Sequence, residues 1–316
     1  MASYITIDGG TTNTRVKLVL DGTIVDTVSL GVGVKHNTDG NEEYNRQIKT
    51  AIKTLLNNNY KNESDICCIL CSGMITSEYG LCELPHTDLP TGIEKLHNTM
   101  HQTYMDDISS IPFVFIRGVK TDCASPISAD VIRGEETEIA GLTHQFGNNC
   151  LYILPGSHSK HILTDEIGRI CDFHTEFTGE LIEAVANNTI LKDIVSLECD
   201  EVDFTALQAG YEYCCTKGIN AAFFKVRTLK KFFGYSAEQC TSFFVGAAMC
   251  SEINNIIKFN VEKVIIGGKK QLRLPMEYLI RKNSQKEVVA VSDHLSANAA
   301  TYGIIKIYEY REKEYE

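Results

Sequence analysis

Two stretches of the chain repeat one pattern, and that repetition restricts the fold more than any other feature. The first, ITIDGGTTNTRVKLV from Ile5 to Val19, is an apolar run that stops at Asp8, passes Gly9, Gly10, Thr11, Thr12 and Asn13, and turns apolar again. It reads as a strand over Tyr4–Asp8, a glycine loop, a second strand from Thr14 to Leu20, the hairpin pair Asp21-Gly22, and a third strand over Thr23–Leu30. The second, CLYILPGSHSKHILTDEIGRICDF from Cys150 to Phe173, is again strand, glycine loop, strand, a turn ending at Gly168, and strand. A helical pattern follows each, through Ile48, Ile52 and Leu55–Leu56 in the first case and Gly179 to Asn187 in the second. Further strands are expected at Ile66–Cys71, Phe113–Ile116, Val261–Ile266 and Val288–Val291, with a last helix near Leu295–Tyr308. The expected architecture is a duplicated α/β fold of two similar domains, 1–146 and 147–316, facing a cleft.

Composition agrees with two ordinary cores. The 316 residues are 43% hydrophobic and 22% charged, and two domains suit that length better than one. A formal net charge of −11 argues against nucleic acid or an anionic membrane as partner. The start MASYITIDGG lacks a basic segment and an apolar one, so no signal peptide is read there. The most continuous apolar run, Ile66–Ile75, falls short of the roughly 20 residues of a membrane helix. The 12 cysteines are scattered, and the single Cys68-x-x-Cys71 pair sits in an apolar run with no second pair for zinc. Buried thiols in a reducing cytoplasm are the expectation. Whether the chain forms a homodimer is left open by the sequence.

Glycine loops let backbone N–H groups converge on phosphate oxygens, and hydroxyls add donors. Gly9, Gly10, Thr11, Thr12 and Asn13 form one candidate cradle, and Gly156, Ser157 and Ser159 a second. Asp8, at a strand end, suits a hydrated Mg²⁺ beside such phosphates. A plain hairpin loop explains either cradle alone; two of them favour polyphosphate. Gly267-Gly268, just after a strand, would let an adenine approach the backbone.

The motif IDGGTTNTR resembles the first phosphate loop of the sugar-kinase, heat-shock-chaperone and actin superfamily. ILCSGMITSEYG (Ile69–Gly80), DVIRGEETEIAG (Asp130–Gly141), LPGSHSKHI (Leu154–Ile162) and FHTEFTGEL (Phe173–Leu181) resemble, in order, the 2-dehydro-3-deoxygalactonokinases. A weaker match runs from Gln208 to Ile253. The family usually has an aromatic at Gly9, Thr at Ser157 and Trp at His161, whereas this chain has no Trp. The resemblance implies an actin-like (ribonuclease H-like) two-domain fold with an interdomain cleft, ATP and Mg²⁺ as cofactors, and phosphorylation of 2-dehydro-3-deoxy-D-galactonate at its C6 hydroxyl; a kinase of another sugar or sugar acid on the same scaffold, or a non-catalytic actin-like nucleotide sensor, is the alternative. It also implies a carboxylate base at the end of the first domain, where DVIRGEETE stands. Glu136 or Glu135, in the first turn of a helix opened by Gly134, is the expected base, with Asp130 as alternative. An acidic helix start facing water is the plain structural reading. Arg133 and Lys160 lie inside matched motifs and are the expected cations for the substrate carboxylate or ATP phosphates; Arg117 and Arg227 rank lower. Lys225, Arg227, Lys230 and Lys231 read better as a solvated helix face. His158, Thr178, Glu180, Gly73, Met74 and Ser77 are the remaining substrate-side candidates, each with a capping, bracing or turn role as its plain explanation.

Overall fold

The computed structural model describes residues 2–33, 42–122, 125–198 and 201–311. The chain divides into two compact units. Unit 1 is Met1–Asn148 with Asp165–Asp172 and Ala297–Glu316, and unit 2 is Asn149–Thr164 with Phe173–Ser296. The second unit therefore does not run to the C-terminus as the expected 147–316 segment did: most of the last helix packs with unit 1.

Unit 1 opens with β1 (Ser3–Gly9), β2 (Thr14–Leu20) and β3 (Thr23–Leu30), then α1 (Glu42–Asn58) and β4 (Cys68–Gly73). The short β5 (Thr87–Asp88), α2 (Ile93–Asn98), β6 (His101–Met105), β7 (Ser109–Phe115), β8 (Val119–Lys120), β9 (Val131–Ile132) and α3 (Glu135–Phe146) follow. Six strands form one sheet in the order β3-β2-β1-β4-β7-β6, and β5-β8-β9 form a small second sheet. Strands β1, β4 and β7 run parallel, with Gly9 level with Gly73. Ile5, Ile7, Val16 and Leu18 meet Ile48, Ile52 and Leu55 of α1 in the core, the periodicities of two and 3.6 packing one face of each element together.

Unit 2 is built from β10 (Leu151–Leu154), β11 (Ser159–Thr164), β12 (Ile170–Glu176), α4 (Thr178–Asn188), α5 (Phe204–Lys217), α6 (Ile219–Phe233), α7 (Ala237–Ala248), α8 (Cys250–Lys258), β13 (Lys263–Ile266), α9 (Lys270–Asn283) and β14 (Glu287–Ala290). The first residues of β12 and the turn before it fall in unit 1, and α10 (Asp293–Tyr308) begins in unit 2 and ends in unit 1. The sheet order β12-β11-β10-β13-β14 repeats the β3-β2-β1-β4-β7 order of unit 1. Here β10, β13 and β14 are parallel. The duplication read from the sequence is thus a duplication of sheet topology. Sequence reading missed β6 and the small sheet, because HQTYM is largely exposed and the other strands are two residues long. Among the described residues no helix is long and apolar enough to cross a membrane.

Candidate active site

In unit 1 the carboxyl ends of β1, β4 and β7 carry the candidate chemistry, as expected of an open sheet of parallel strands. The first loop closes by a Gly10 N–H donating to the Asn13 carbonyl at 2.9 Å, which leaves Thr11, Thr12 and Asn13 exposed. A side chain on Gly9 would strike Ile75 Cβ at 2.8 Å, and one on Gly73 would lie 2.4 Å from the Gly9 carbonyl oxygen. Gly73 also has φ +85°, and Gly134 has φ +113° with Gly73 Cα beside it. Three glycines thus let two strand ends and the start of α3 approach to backbone contact. Met74 is half-buried at this junction, whereas Ser77 is buried and its hydroxyl donates to the Met74 carbonyl, closing the turn.

The acids of GEETE separate into distinct environments. Glu135, the first residue of α3, is partly exposed and accepts the Arg133 amide at 2.8 Å. Glu136 is 1% exposed, and both its oxygens accept the Gly134 N–H, at 3.0 and 2.8 Å. Burial, reinforced by the Glu135 charge, pushes its carboxyl up to about 8 against the pull of those backbone donors and Arg133. Glu138 is pushed up to about 8 as well, first by burial of the carboxyl and then by Asp8 and Glu135. Asp8 forms an ion pair with Arg15, 3.1 Å away across the β1–β2 register. Glu138 escaped sequence reasoning, although its place three residues after Glu135 on a helix was a usable signal. Asp130 lies further off, in the β8–β9 hairpin, where its carboxylate accepts the Val131 amide at 2.7 Å.

The two arginines weighed as substrate cations in unit 1, Arg133 and Arg117, differ. Arg133 sends Nη1 to the Thr76 carbonyl and hydroxyl, and Nη2 to Leu84 and His86, so its fork braces the Thr76–His86 segment. His86 is held neutral by that arrangement, its pKa lowered to about 4 by burial and then by Arg133 and Lys120. Arg117 follows β7 by two residues; its Nε is buried and finds no acceptor among the described residues. A buried guanidinium N–H calls for an anion or another acceptor.

In unit 2 the second loop lies where β10, β13 and α4 converge. A side chain on Gly179 would meet the Gly156 carbonyl at 2.0 Å, and one on Gly268 would meet the Pro155 carbonyl at 2.6 Å. The Glu180 amide donates to the Ser157 carbonyl, and the Gly267 amide to Ile153. Gly156, Ser157, the start of α4 and Gly267-Gly268 are therefore adjacent. His158 is exposed, stacked on Phe177 with centroids 5.5 Å apart and 3.4 Å from Glu180.

Strand alternation turns the next residues away from this rim. Ser159 and His161 face inward to Glu252 of α8, the Ser159 hydroxyl donating to it and His161 Nε2 lying 2.9 Å from it. Burial works against the Glu252 charge, but His161, Ser159 and Thr178 together hold its carboxyl below the usual range. The Ser159 and Thr178 hydroxyls thus fasten the loop to α8. Lys160 takes the opposite face and donates to Thr175 at 2.8 Å. Glu252 was missed; an acid inside the apolar run FFVGAAMCSEINNII was the available signal. Arg273, also missed, joins the Gly268 carbonyl at 3.0 Å to Asp293. The basic run of α6 is a solvated face: Lys225 and Lys231 lie over aromatic rings and Lys230 caps Tyr235.

Among the described residues no group of three or more His, Cys, Asp or Glu side chains is arranged to hold a metal by protein ligands alone. A single carboxylate such as Asp8 nevertheless suits Mg²⁺, which keeps several waters and takes its other ligands from phosphate.

Comparison with known proteins gives this geometry a context. A profile of the family described as 2-keto-3-deoxy-galactonokinase matches residues 8–307. "Probable 2-dehydro-3-deoxygalactonokinase DgoK1" of Rhizobium meliloti (strain 1021) is 30% identical over 130 residues, a stretch covering 40% of this chain and 40% of that protein. The crystal structure of "a putative 2-dehydro-3-deoxygalactonokinase protein" from Sinorhizobium meliloti superposes with a TM-score of 0.77 at 21% identity, over 96% of this chain and 97% of that one. Component A of the Acidaminococcus fermentans (R)-2-hydroxyglutaryl-CoA dehydratase matches at 0.53 and 16% identity, over 98% of each chain. These structures are similar in fold.

Proposed function

We propose, because this chain belongs to the 2-keto-3-deoxy-galactonokinase family, that it transfers the terminal phosphate of Mg-ATP to the C6 hydroxyl of 2-dehydro-3-deoxy-D-galactonate. The observation that carries the chemical reading is the carboxyl edge of the unit 1 sheet. There a glycine loop, a strand-end acid and a partly exposed helix-opening carboxylate are held within one backbone-packed junction. Phosphoryl transfer to an alcohol needs those parts: donors for phosphate, a cation site, and a base for the attacking hydroxyl.

Glu135 is the base in this reading, since it is the carboxylate of the pair that keeps exposed surface. Glu136 supports it by fixing Gly134 and the first turn of α3. Asp8 would hold Mg²⁺, and the ion would supply charge neutralisation at the phosphates. Thr11, Thr12 and Asn13 offer donors to phosphate oxygens at the unit 1 loop; taken by itself, unit 2 offers Gly156 and Ser157 as a second set of donors, with the open backbone of Gly267-Gly268 beside them for an adenosine. Arg117 receives the substrate carboxylate, a planar fork meeting a planar anion. Arg133, engaged with Thr76, Leu84 and His86, positions the Gly73–Ser77 turn that the sugar contacts.

The test is product identification. Incubation with Mg-ATP and 2-dehydro-3-deoxygalactonate should give one phosphomonoester whose phosphorus couples to the C6 protons. Phosphate on another carbon, or none, removes the assignment.

A further inference from the structure

Away from both loops, unit 2 holds three thiols at one helix contact. Cys214 and Cys215 lie in α5, and Cys250 opens α8. The sulfurs of Cys215 and Cys250 are 3.4 Å apart and unbonded. The Asn254 amide donates to both at 3.6 Å, and its oxygen accepts the Tyr211 hydroxyl at 2.8 Å, so neighbouring polar groups hold the pair in place. Cys215 is exposed and Cys250 is buried. An exposed thiol touching a buried one lets the first meet an oxidant and the second resolve the product.

We propose that Cys215 and Cys250 form a modification site at which a hydroperoxide closes an intrachain disulfide. With hydrogen peroxide, the Cys215 sulfur attacks the O–O bond, becomes a sulfenic acid, and releases water. The Cys250 sulfur then attacks the Cys215 sulfur, and the hydroxyl leaves with the Cys250 thiol proton as a second water. Two thiols lose two electrons, and the peroxide is reduced to two waters. Burial, with hydrogen bonds from Cys214 and Cys215, raises the Cys250 pKa above its ordinary value, which keeps it a thiol until its neighbour is oxidised.

The position gives the bond a consequence. Cys250 shares the first turn of α8 with Glu252, the acid that fastens Ser159 and His161. Closing the sulfurs from 3.4 Å to about 2.0 Å draws the start of α8 toward α5 and strains that fastening.

The experiment treats the intact reduced chain with graded hydrogen peroxide and follows it by peptide mapping and amide hydrogen exchange. The first product should be lighter by two hydrogens, link the Cys215 and Cys250 peptides, and revert with dithiothreitol. Exchange over Gly156–Lys160 should become several-fold faster while the link persists. Cys215→Ser, at an exposed position, should abolish the link; Cys250→Ala should leave a sulfenic acid trapped at Cys215. A Cys214–Cys215 bond, a link between chains, or a lasting Cys215 sulfenic acid in the wild type would overturn the proposal. So would an unchanged exchange rate in the linked chain.

Discussion

Replacing Glu136 by Gln should make the protein more stable at and above neutral pH. The Glu136 carboxyl is 1% exposed and raised from 4.5 to about 8. A carboxyl raised in the folded state contributes stability that is complete below its unfolded value of 4.5 and lost as pH rises through about 8. At about 1.4 kcal/mol for each pH unit between the two values, the full loss is about 5 kcal/mol, and about 3 kcal/mol of it has accrued at pH 7. Gln keeps one oxygen to accept the Gly134 N–H and carries no charge to bury. Some of the gain is offset by the poorer single acceptor, so a net stabilisation of about 1–3 kcal/mol at pH 8 is expected. Urea unfolding of both proteins at pH 5.5, 7 and 8.5 measures it. The wild type should lose stability across that range faster than the variant. Parallel slopes, or a variant that is weaker at pH 8.5, would refute the assignment of a protonated, buried Glu136.

Four other outcomes follow from the same geometry. Glu135→Gln should lower kcat by about 10²–10⁴ while nucleotide affinity, read by calorimetry, holds; a loss confined to KM would count against Glu135 as base. Arg117→Lys should raise KM for the sugar acid by about 10–100-fold with a smaller change in kcat, since a point charge replaces a fork; unchanged KM would dismiss Arg117 as the carboxylate receptor. Gly73→Ala, which places Cβ 2.4 Å from the Gly9 oxygen at φ +85°, should cost about 1–3 kcal/mol or more, seen as a lowered Tm. The depressed Glu252 carboxyl contributes stability above 4.5 that is lost as pH falls; Glu252→Gln should flatten the acid limb of the unfolding curve, and an unaltered limb would contradict the Glu252 network.

The duplication was legible because strands, glycine loops and hairpin turns have short local signals, and both copies carry them in the same order. Asp21-Gly22 and Gly168 mark their turns by chemistry that acts within four residues. What sequence reading could not supply was the direction of side chains. Ser159 and Lys160 are neighbours in one motif, yet pleating sends one to Glu252 and the other to Thr175. Glu135 and Glu136 are adjacent letters in very different surroundings, because one residue of helix is a 100° rotation. Arg133 stood inside a matched motif and is committed to Thr76, Leu84 and His86, whereas Arg117, outside every motif, has an Nε–H that is unpaired among the described residues. Glu252 lies 93 and 91 residues along the chain from the Ser159 and His161 that it holds, and no local pattern encodes that distance.

The most direct test of the central claim is the initial rate of ADP release with Mg-ATP and 2-dehydro-3-deoxygalactonate, set beside its gluconate epimer, glycerol, xylulose and a blank without sugar. A kinase of this sugar acid should release ADP with the galactonate compound far above every other arm. Equal rates in all arms, or release with a neutral sugar alone, would contradict the account.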